Sequence, residues 1–317
     1  LTIRFTKEPT MIFAFTAVPG PQEWQPILLA ESVRQWGGAL ANSDILALYP
    51  QAIGTLTAET TAKLKALAVE IMPFAGELPT LRFPFAAKVL AAAQAEEAAA
   101  QATQAGQTGR QLVWLDRDSL LIQEPQPLLL DEAKQLGYRP VDHTLIGSRY
   151  EQPPDPFWQL IYARCGVAAT QLWPMMTSVD EVQIRPYFNA GMLVVRPESG
   201  LLRSWRDDFL RLYQEPDFAP FYVQDGLYRI FMHQAVLAGV ILRELEAASC
   251  VELPHLVNYP LHMHAQYPAA RRPATMNELI SGRYDTFFDD ANWAKGFPMQ
   301  EPLASWLRQN IGQYLTV

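Results

Sequence analysis

Through its first two hundred residues the chain alternates short apolar runs with stretches of helical spacing. That rhythm is what a mostly parallel sheet covered by helices produces. Residues 11–18 read as a strand and residues 24–36 as a helix closed by Gly37 and Gly38. A second strand is expected over residues 44–49, a helix over 57–68 and a third short strand over 69–73. Pro84 marks a helix start, and eleven alanines within residues 86–105 predict a close-packed helix that ends at Gly106 and Gly109. From Gln111 an apolar strand runs through Asp116-Arg117-Asp118 to Ile122. Past residue 140 the rhythm changes, with a short strand expected over 145–148, a helix over 157–165 and a buried strand over 187–197. Helices over 201–213 and 226–238 follow, and the spacing of Leu303, Trp306, Leu307, Ile311, Tyr314 and Leu315 predicts a packed terminal helix.

No internal repeat and no Ser/Gly linker interrupts this pattern, so a single domain over residues 1–317 is expected. Its core would span 11–265, with a C-terminal helical extension over 266–317 packed on it. Composition agrees with a folded chain: 49% of residues are apolar and 18% charged. The 25 Lys and Arg against 33 Asp and Glu leave a net charge of −8, which disfavours nucleic acid or an anionic membrane as partner. A local basic pocket for a phosphate remains compatible with that sum. Cys165 and Cys250 are too few for a disulfide scaffold or a four-sulfur zinc site, and a reducing, cytoplasmic setting is expected. The longest clean apolar run, residues 235–242, falls well short of the ~20 residues needed to cross a bilayer, so no transmembrane segment is expected. Arg4 and Lys7 ahead of residues 11–18 faintly mimic a signal peptide, but Pro19-Gly20-Pro21 stands where small residues should permit cleavage.

The chemistry concentrates at Asp116-Arg117-Asp118. With fourteen Asp in 317 residues, chance alone supplies roughly 0.6 Asp-x-Asp tripeptides, so context must carry the signal. Here the acids sit at the carboxyl end of an apolar strand, where open α/β sheets bind ligands. Paired hard oxygens suit Mg²⁺ or Mn²⁺ bridging to a diphosphate. The alternative is that both acids cap turns or pair with Arg117 and Arg110. Motifs for dinucleotide binding, P-loops, serine hydrolases and zincins are missing from the sequence.

Three segments together carry a resemblance. Leu112-Val-Trp-Leu-Asp116-Arg-Asp118, the strand Ile12-Phe-Ala-Phe-Thr-Ala-Val and Tyr187-Phe-Asn189-Ala-Gly191-Met-Leu-Val-Val-Arg-Pro resemble the nucleotide-diphospho-sugar glycosyltransferases of the GT-A fold, closest to the branch around glycosyltransferase family eight. The resemblance implies a Rossmann-like α/β fold with a mixed, mostly parallel sheet flanked by helices. It also implies a metal-dependent transfer of a sugar from a nucleotide-diphosphate donor to an acceptor hydroxyl, the acceptor being unknown. Asp116 and Asp118 match the metal motif, and His262 and His264 come where the family has a His that completes the shell of Mn²⁺ or Mg²⁺; two apart in an extended segment, they would face the same way, so either or both could be ligands. Thr16 and Ala17 fall where the family touches the nucleotide, and Lys88 is similar in place to a basic residue facing the phosphates. Asn189 and Gly191 match Phe-Asn-x-Gly at the sugar pocket, with Asp142 a further sugar contact.

His233-Gln234 is similar to the family's acidic-Gln segment beside the sugar, with His233 where Asp often stands. An imidazole there can act as a base if the enzyme inverts. The implied catalytic set is therefore Gln234, His233 and Asn189. Arg271-Arg272 is the nearest basic group to the family's usual C-terminal phosphate contact. Two alternatives use the same residues: a metal-dependent phosphohydrolase or nucleotidyltransferase, and a non-catalytic nucleotide-sugar-binding protein, to which the His at 233 points.

Overall fold

A seven-stranded sheet forms the centre of the computed structural model, which describes residues 11–104 and 109–314. Arg4, Lys7, Gly106 and Leu315, named above, lie outside the described residues. The chain begins with β1 (Met11–Thr16), α1 (Trp24–Trp36), β2 (Asp44–Pro50), α2 (Ala58–Ala66), β3 (Val69–Phe74), α3 (Leu78–Leu81) and α4 (Ala86–Gln104). It continues with β4 (Gln111–Leu115), β5 (Ser119–Leu121), β6 (Leu136–Pro140), α5 (Pro156–Cys165), β7 (Met175–Met176), β8 (Gln183–Ile184) and β9 (Phe188–Val195). The last part contains α6 (Leu201–Leu212), α7 (Ala219–Gln224), α8 (Gly226–Glu244), β10 (Cys250–Glu252), β11 (Tyr259–Pro260), β12 (Ser281–Arg283), α9 (Trp293–Gly296) and α10 (Leu303–Tyr314).

The large sheet has the order β10-β6-β9-β4-β1-β2-β3. Strands β4, β1, β2 and β3 run parallel, as do β6 and β10, while β9 is antiparallel to both its neighbours. Period-two alternation places Ile12, Ala14, Leu112 and Trp114 in one apolar cluster with α4, α5, α6 and α8. Met11, Phe13, Phe15, Val113 and Leu115 point the other way, into a cluster with α1 and α2. Because both faces are covered, β1 and β4 read as unbroken apolar runs. This is the mixed, mostly parallel, helix-flanked α/β architecture expected.

Local chemistry accounts for the element ends. Thr57 caps α2 by accepting from Thr60 N at 3.2 Å, and Asp155 caps α5 by accepting from Phe157 N and Trp158 N. Gly166, at φ +74°, closes α5 in the left-handed conformation. Buried Glu96 on α4 accepts from Leu202 N and Arg203 N, both at 3.0 Å, so it holds the otherwise unpartnered N-terminus of α6.

Two expectations need correction, and one strand went unread. Residues 145–148 form a turn rather than a strand, with Leu145 at φ +44° and Gly147 N bonded to Thr144 O. The strand of this region is β6, whose Gly137, Arg139 and Pro140 hide the apolar signal. Arg139 is nonetheless buried, because it donates to Leu253 O, Ser178 Oγ and Glu252. Finally, α8 runs to Glu244, beyond residue 238; Gly239 continues the helix and lets it approach α5, where a methyl would sit 2.5 Å from Cys165 Sγ.

The C-terminal part builds a second, three-stranded sheet in the order β11-β12-β5. There β12 pairs antiparallel with β5, setting Arg283 opposite Ser119. Leu303, Leu307 and Ile311 of α10 pack in a third cluster with Leu28, Leu120 and Ile122. Among the described residues, no helix is long and apolar enough to cross a membrane.

Candidate active site

Asp116 and Asp118 do not lie within one continuous strand. They occupy a tight turn between β4 and β5, closed by Ser119 N donating to Asp116 O at 3.1 Å. Strand β9 anchors this turn: Asp116 N donates to Gly191 O at 2.7 Å, and Gly191 N donates to Asn189 Oδ1 at 2.8 Å. The register of β9 is irregular here. Tyr138 and Pro140 of β6 are two residues apart, whereas their partners Leu193 and Phe188 are five apart, and the surplus lies in the stretch containing Asn189 and Gly191. Gly191 makes room for the acid rather than for a ligand, since a Cβ there would lie 2.8 Å from Asp116 Oδ2.

Two cations meet the acids. Lys88, in the first turn of α4, places Nζ 2.7 Å from each carboxylate oxygen of Asp116. Arg283, at the end of β12, donates from Nη2 to Asp142 Oδ2 at 2.6 Å. Burial opposes the guanidinium's charge, but Asp142, then Asp118, Asp116 and Asp285, outweigh it and raise the pKa above the ordinary arginine value. The Asp118 carboxyl is pushed up by burial and by Asp116, with Arg283 and Lys88 pulling the other way. Neither Arg110 nor Arg117 neutralises the pair: Arg110 bonds Asp44, and Arg117 donates to Gln22 Oε1.

These groups line a cavity of about 620 Å³, a size suited to a small-molecule ligand. Of the residues expected from sequence, Thr16, Lys88, Asp116, Asp118, Asn189, His233 and Gln234 line it. Asn189 spends its amide oxygen on Gly191 N, and Gln234 Oε1 accepts from Ala190 N at 3.2 Å, so the two side chains brace the β9 irregularity. His233 lies inside α8 rather than at its start, and is only 1% exposed. Its ring packs 4.5 Å from Phe85 and its Nδ1 lies 3.0 Å from Ile230 O. Burial, and after it Lys88, holds the imidazole well below its ordinary pKa, so it is neutral.

The remaining expected residues are placed elsewhere. Ala17 is fully buried and its N–H donates to Leu48 O, while Asp142 is the partner of Arg283. His262 and His264 lie in a 3-10 helix, Leu261–Gln266, rather than in an extended segment, so they do not share a face. His264 stacks on Phe297 at 3.6 Å and sets Nδ1 3.0 Å from Tyr259 Oη. His262 Nε2 lies 3.8 Å from Asp285 Oδ2. Among the described residues, no three His, Cys, Asp or Glu side chains gather to hold a metal ion. The shell of two aspartates and a histidine that the resemblance implies is therefore not assembled, and the side chain that β12 brings to the acids is Arg283. Arg271 and Arg272 are also spent away from the cavity, on Ser178 O and Glu181 and on Tyr267 O and Ala265 O.

Sequence reading missed Arg283, Tyr284, Trp24 and Phe85, all of which line the cavity. Tyr284 stacks on Trp24 with ring centroids 5.7 Å apart, joining the C-terminal segment to the start of α1. Phe85 is 45% exposed and held at φ +59°, a conformation costing a bulky residue ~1–3 kcal/mol and typical of functional sites. None of these carries a motif; only the Pro84-Phe85 break before an Ala-rich helix marks an unusual junction.

Residues 13–244 match the model of the Rhodobacterales glycosyltransferase domain. No curated protein matches the chain in sequence. Among solved structures, galactosyltransferase LgtC in complex with donor and acceptor sugar analogs is similar at 15% identity, over 97% of each chain, with a TM-score of 0.49. Mouse xyloside xylosyltransferase 1 is similar at 12% identity over 87% of this chain and 97% of that one, with a TM-score of 0.43. The glycosyltransferase GlyE of Streptococcus pneumoniae is similar at 12% identity over 95% of this chain and 64% of that one, with a TM-score of 0.47. Since the matched family model spans most of the chain, the protein belongs to the Rhodobacterales glycosyltransferase domain family, and it is a glycosyltransferase.

Proposed function

We propose that the cavity binds a nucleoside-diphosphate sugar and transfers the sugar to an acceptor hydroxyl. One observation carries this reading: Lys88, the Asp116-Arg117-Asp118 turn, Asn189 and Gln234 come from four separated parts of the chain and line one cavity at the carboxyl ends of β1 and β4. Carboxyl ends of strands are where open α/β sheets bind nucleotides. In the reaction the bond between anomeric carbon and diphosphate oxygen breaks, the diphosphate leaves with the electron pair, and the acceptor oxygen bonds to the sugar as its hydroxyl proton passes to the departing diphosphate. Positive charge preset beside the leaving diphosphate lowers the barrier, because it needs no reorganisation as charge develops.

Thr16, at the end of β1, and the Trp24–Tyr284 stack suit the nucleoside, and the amides of Asn189 and Gln234 suit sugar hydroxyls. Buried, neutral His233 is assigned a packing role behind Phe85 rather than that of a base. No histidine gathers with Asp116 and Asp118 among the described residues, and no step of this reading runs through a divalent ion. Cys165 and Cys250 are both free and buried, which supports a reducing, cytoplasmic setting.

The test is thermal unfolding of the purified protein against UDP, GDP, CDP and dTDP, followed by product analysis with the matching nucleotide sugars. One nucleoside diphosphate is expected to raise the transition by mass action, and turnover should release that same diphosphate. Lys88→Met should reduce turnover at least 100-fold while a cooperative unfolding transition persists, since it removes a positive charge preset beside the leaving diphosphate. Release of nucleoside monophosphate or inorganic phosphate instead would overturn the reading.

A further inference from the structure

We propose that this transferase grips its donor diphosphate directly with Lys88 and Arg283 and needs no divalent metal ion. The inference rests on the donor reading above and deepens it. Lys88 Nζ, equidistant at 2.7 Å from the two oxygens of Asp116, stands where a cation held by that carboxylate would stand. Arg283 is delivered to the other acid by backbone pairing: β12 sets it opposite Ser119, and Tyr284 N donates to Asp118 O at 2.9 Å. A guanidinium has no lone pair to offer a metal, and its charge repels a divalent ion beside Asp118.

Both cations keep donors in reserve. An ammonium carries three N–H donors, and two of those of Lys88 reach Asp116. A guanidinium carries five, and the hydrogen bond to Asp142 comes from Nη2, while Arg283 Nε is buried without a hydrogen-bond partner among the described residues. A diphosphate can therefore be bound without breaking either ion pair. In this arrangement Asp116 and Asp142 fix the two cations in place and moderate their charge, so that the product diphosphate can leave.

The test is calorimetric titration of the whole protein with UDP, GDP, CDP, dTDP and inorganic pyrophosphate, each in EDTA and again with Mn²⁺. A nucleoside diphosphate should bind in EDTA, and Mn²⁺ should change its Kd by less than about threefold. Removing both members of the buried pair together, in the Arg283→Met, Asp142→Asn double variant, should weaken that binding at least tenfold while a cooperative unfolding transition persists. The single variant Arg283→Lys, which keeps the charge and loses the fork, should fall between. Binding that appears only with Mn²⁺ overturns the metal-free grip and leaves the donor reading standing. Unchanged binding by the double variant overturns the role of Arg283. If no nucleoside diphosphate binds in either condition, the donor reading itself falls and the grip falls with it.

Discussion

The two walls of the cavity are made in different ways. One comprises the ends of β1 and β4, the start of α4 and the β9 irregularity, all tied to a mixed, mostly parallel sheet whose side chains are buried on both faces. The other is residues 283–289, held by a three-residue strand, β12, and by the aromatic contacts of Tyr284 and Phe288. The first wall is backed by side chains buried on both faces of the sheet, so a displacement there must disturb a close-packed core. The second is positioned by a few backbone hydrogen bonds and one partly buried ion pair. Precision in the acids should therefore depend on packing, and precision in Arg283 on charge.

The largest expected effect lies in the first wall. Gly191→Ala puts a methyl 2.8 Å from Asp116 Oδ2 and 2.9 Å from Asn189 Oδ1, so the acid must shift. The core behind it cannot yield, and a displacement on this scale should cost about 100-fold in kcat/KM together with ~1–3 kcal/mol of stability. Steady-state kinetics and chemical denaturation measure the two quantities. Normal turnover by this variant would show that Asp116 need not be held where it is.

The same contrast decides what could be read in the sequence. Strands β1, β2 and β4 and helices α1, α5 and α6 follow from periodicity, because burial on both faces of a sheet or one face of a helix writes itself into the residue pattern. Asp116, Asp118, Asn189 and Lys88 were legible for a related reason: each sits next to an element whose position the pattern predicts. Arg283 was not. It ends a three-residue strand, too short for alternation, and its meaning comes from pairing with β5, some 160 residues earlier in the chain. His262 and His264 show the opposite failure: their spacing in sequence implied a shared face that the 3-10 helix takes away. The β9 irregularity was equally hidden, since an unbroken apolar run gives no sign of a register shift.

An intermediate effect is expected in the second wall. Arg283→Lys retains a cation facing Asp142 but removes the planar fork, and should raise the donor KM about threefold with a smaller change in kcat. Stability should change by under ~1.5 kcal/mol, because the partly buried Asp142 keeps an oppositely charged partner. Equal loss in Gly191→Ala and Arg283→Lys, in both stability and kinetics, would erase the distinction between a packed wall and an ion-paired one.

The smallest expected effect is a difference in pH response. Arg283 stays charged throughout the physiological range, so the second wall adds no titration there. His233, packed against Phe85 of the first wall, is held well below its ordinary value of 6.5 by burial and then by Lys88, against the opposing pull of Ile230 O. Below pH 6.5 the unfolded chain binds a proton that the folded chain refuses. The stabilisation is therefore complete above that value and is lost as pH falls toward the depressed pKa, with a slope of at most ~1.4 kcal/mol per pH unit. His233→Gln, which cannot titrate, should be somewhat less stable at pH 7.5 through lost contact with Phe85, and should lose about 1 kcal/mol less than the parent between pH 6.5 and 5.5. Denaturation curves across that interval give the comparison. Parallel pH slopes in parent and variant would mean that the imidazole accepts its proton in place, and that the first wall is softer than its packing implies.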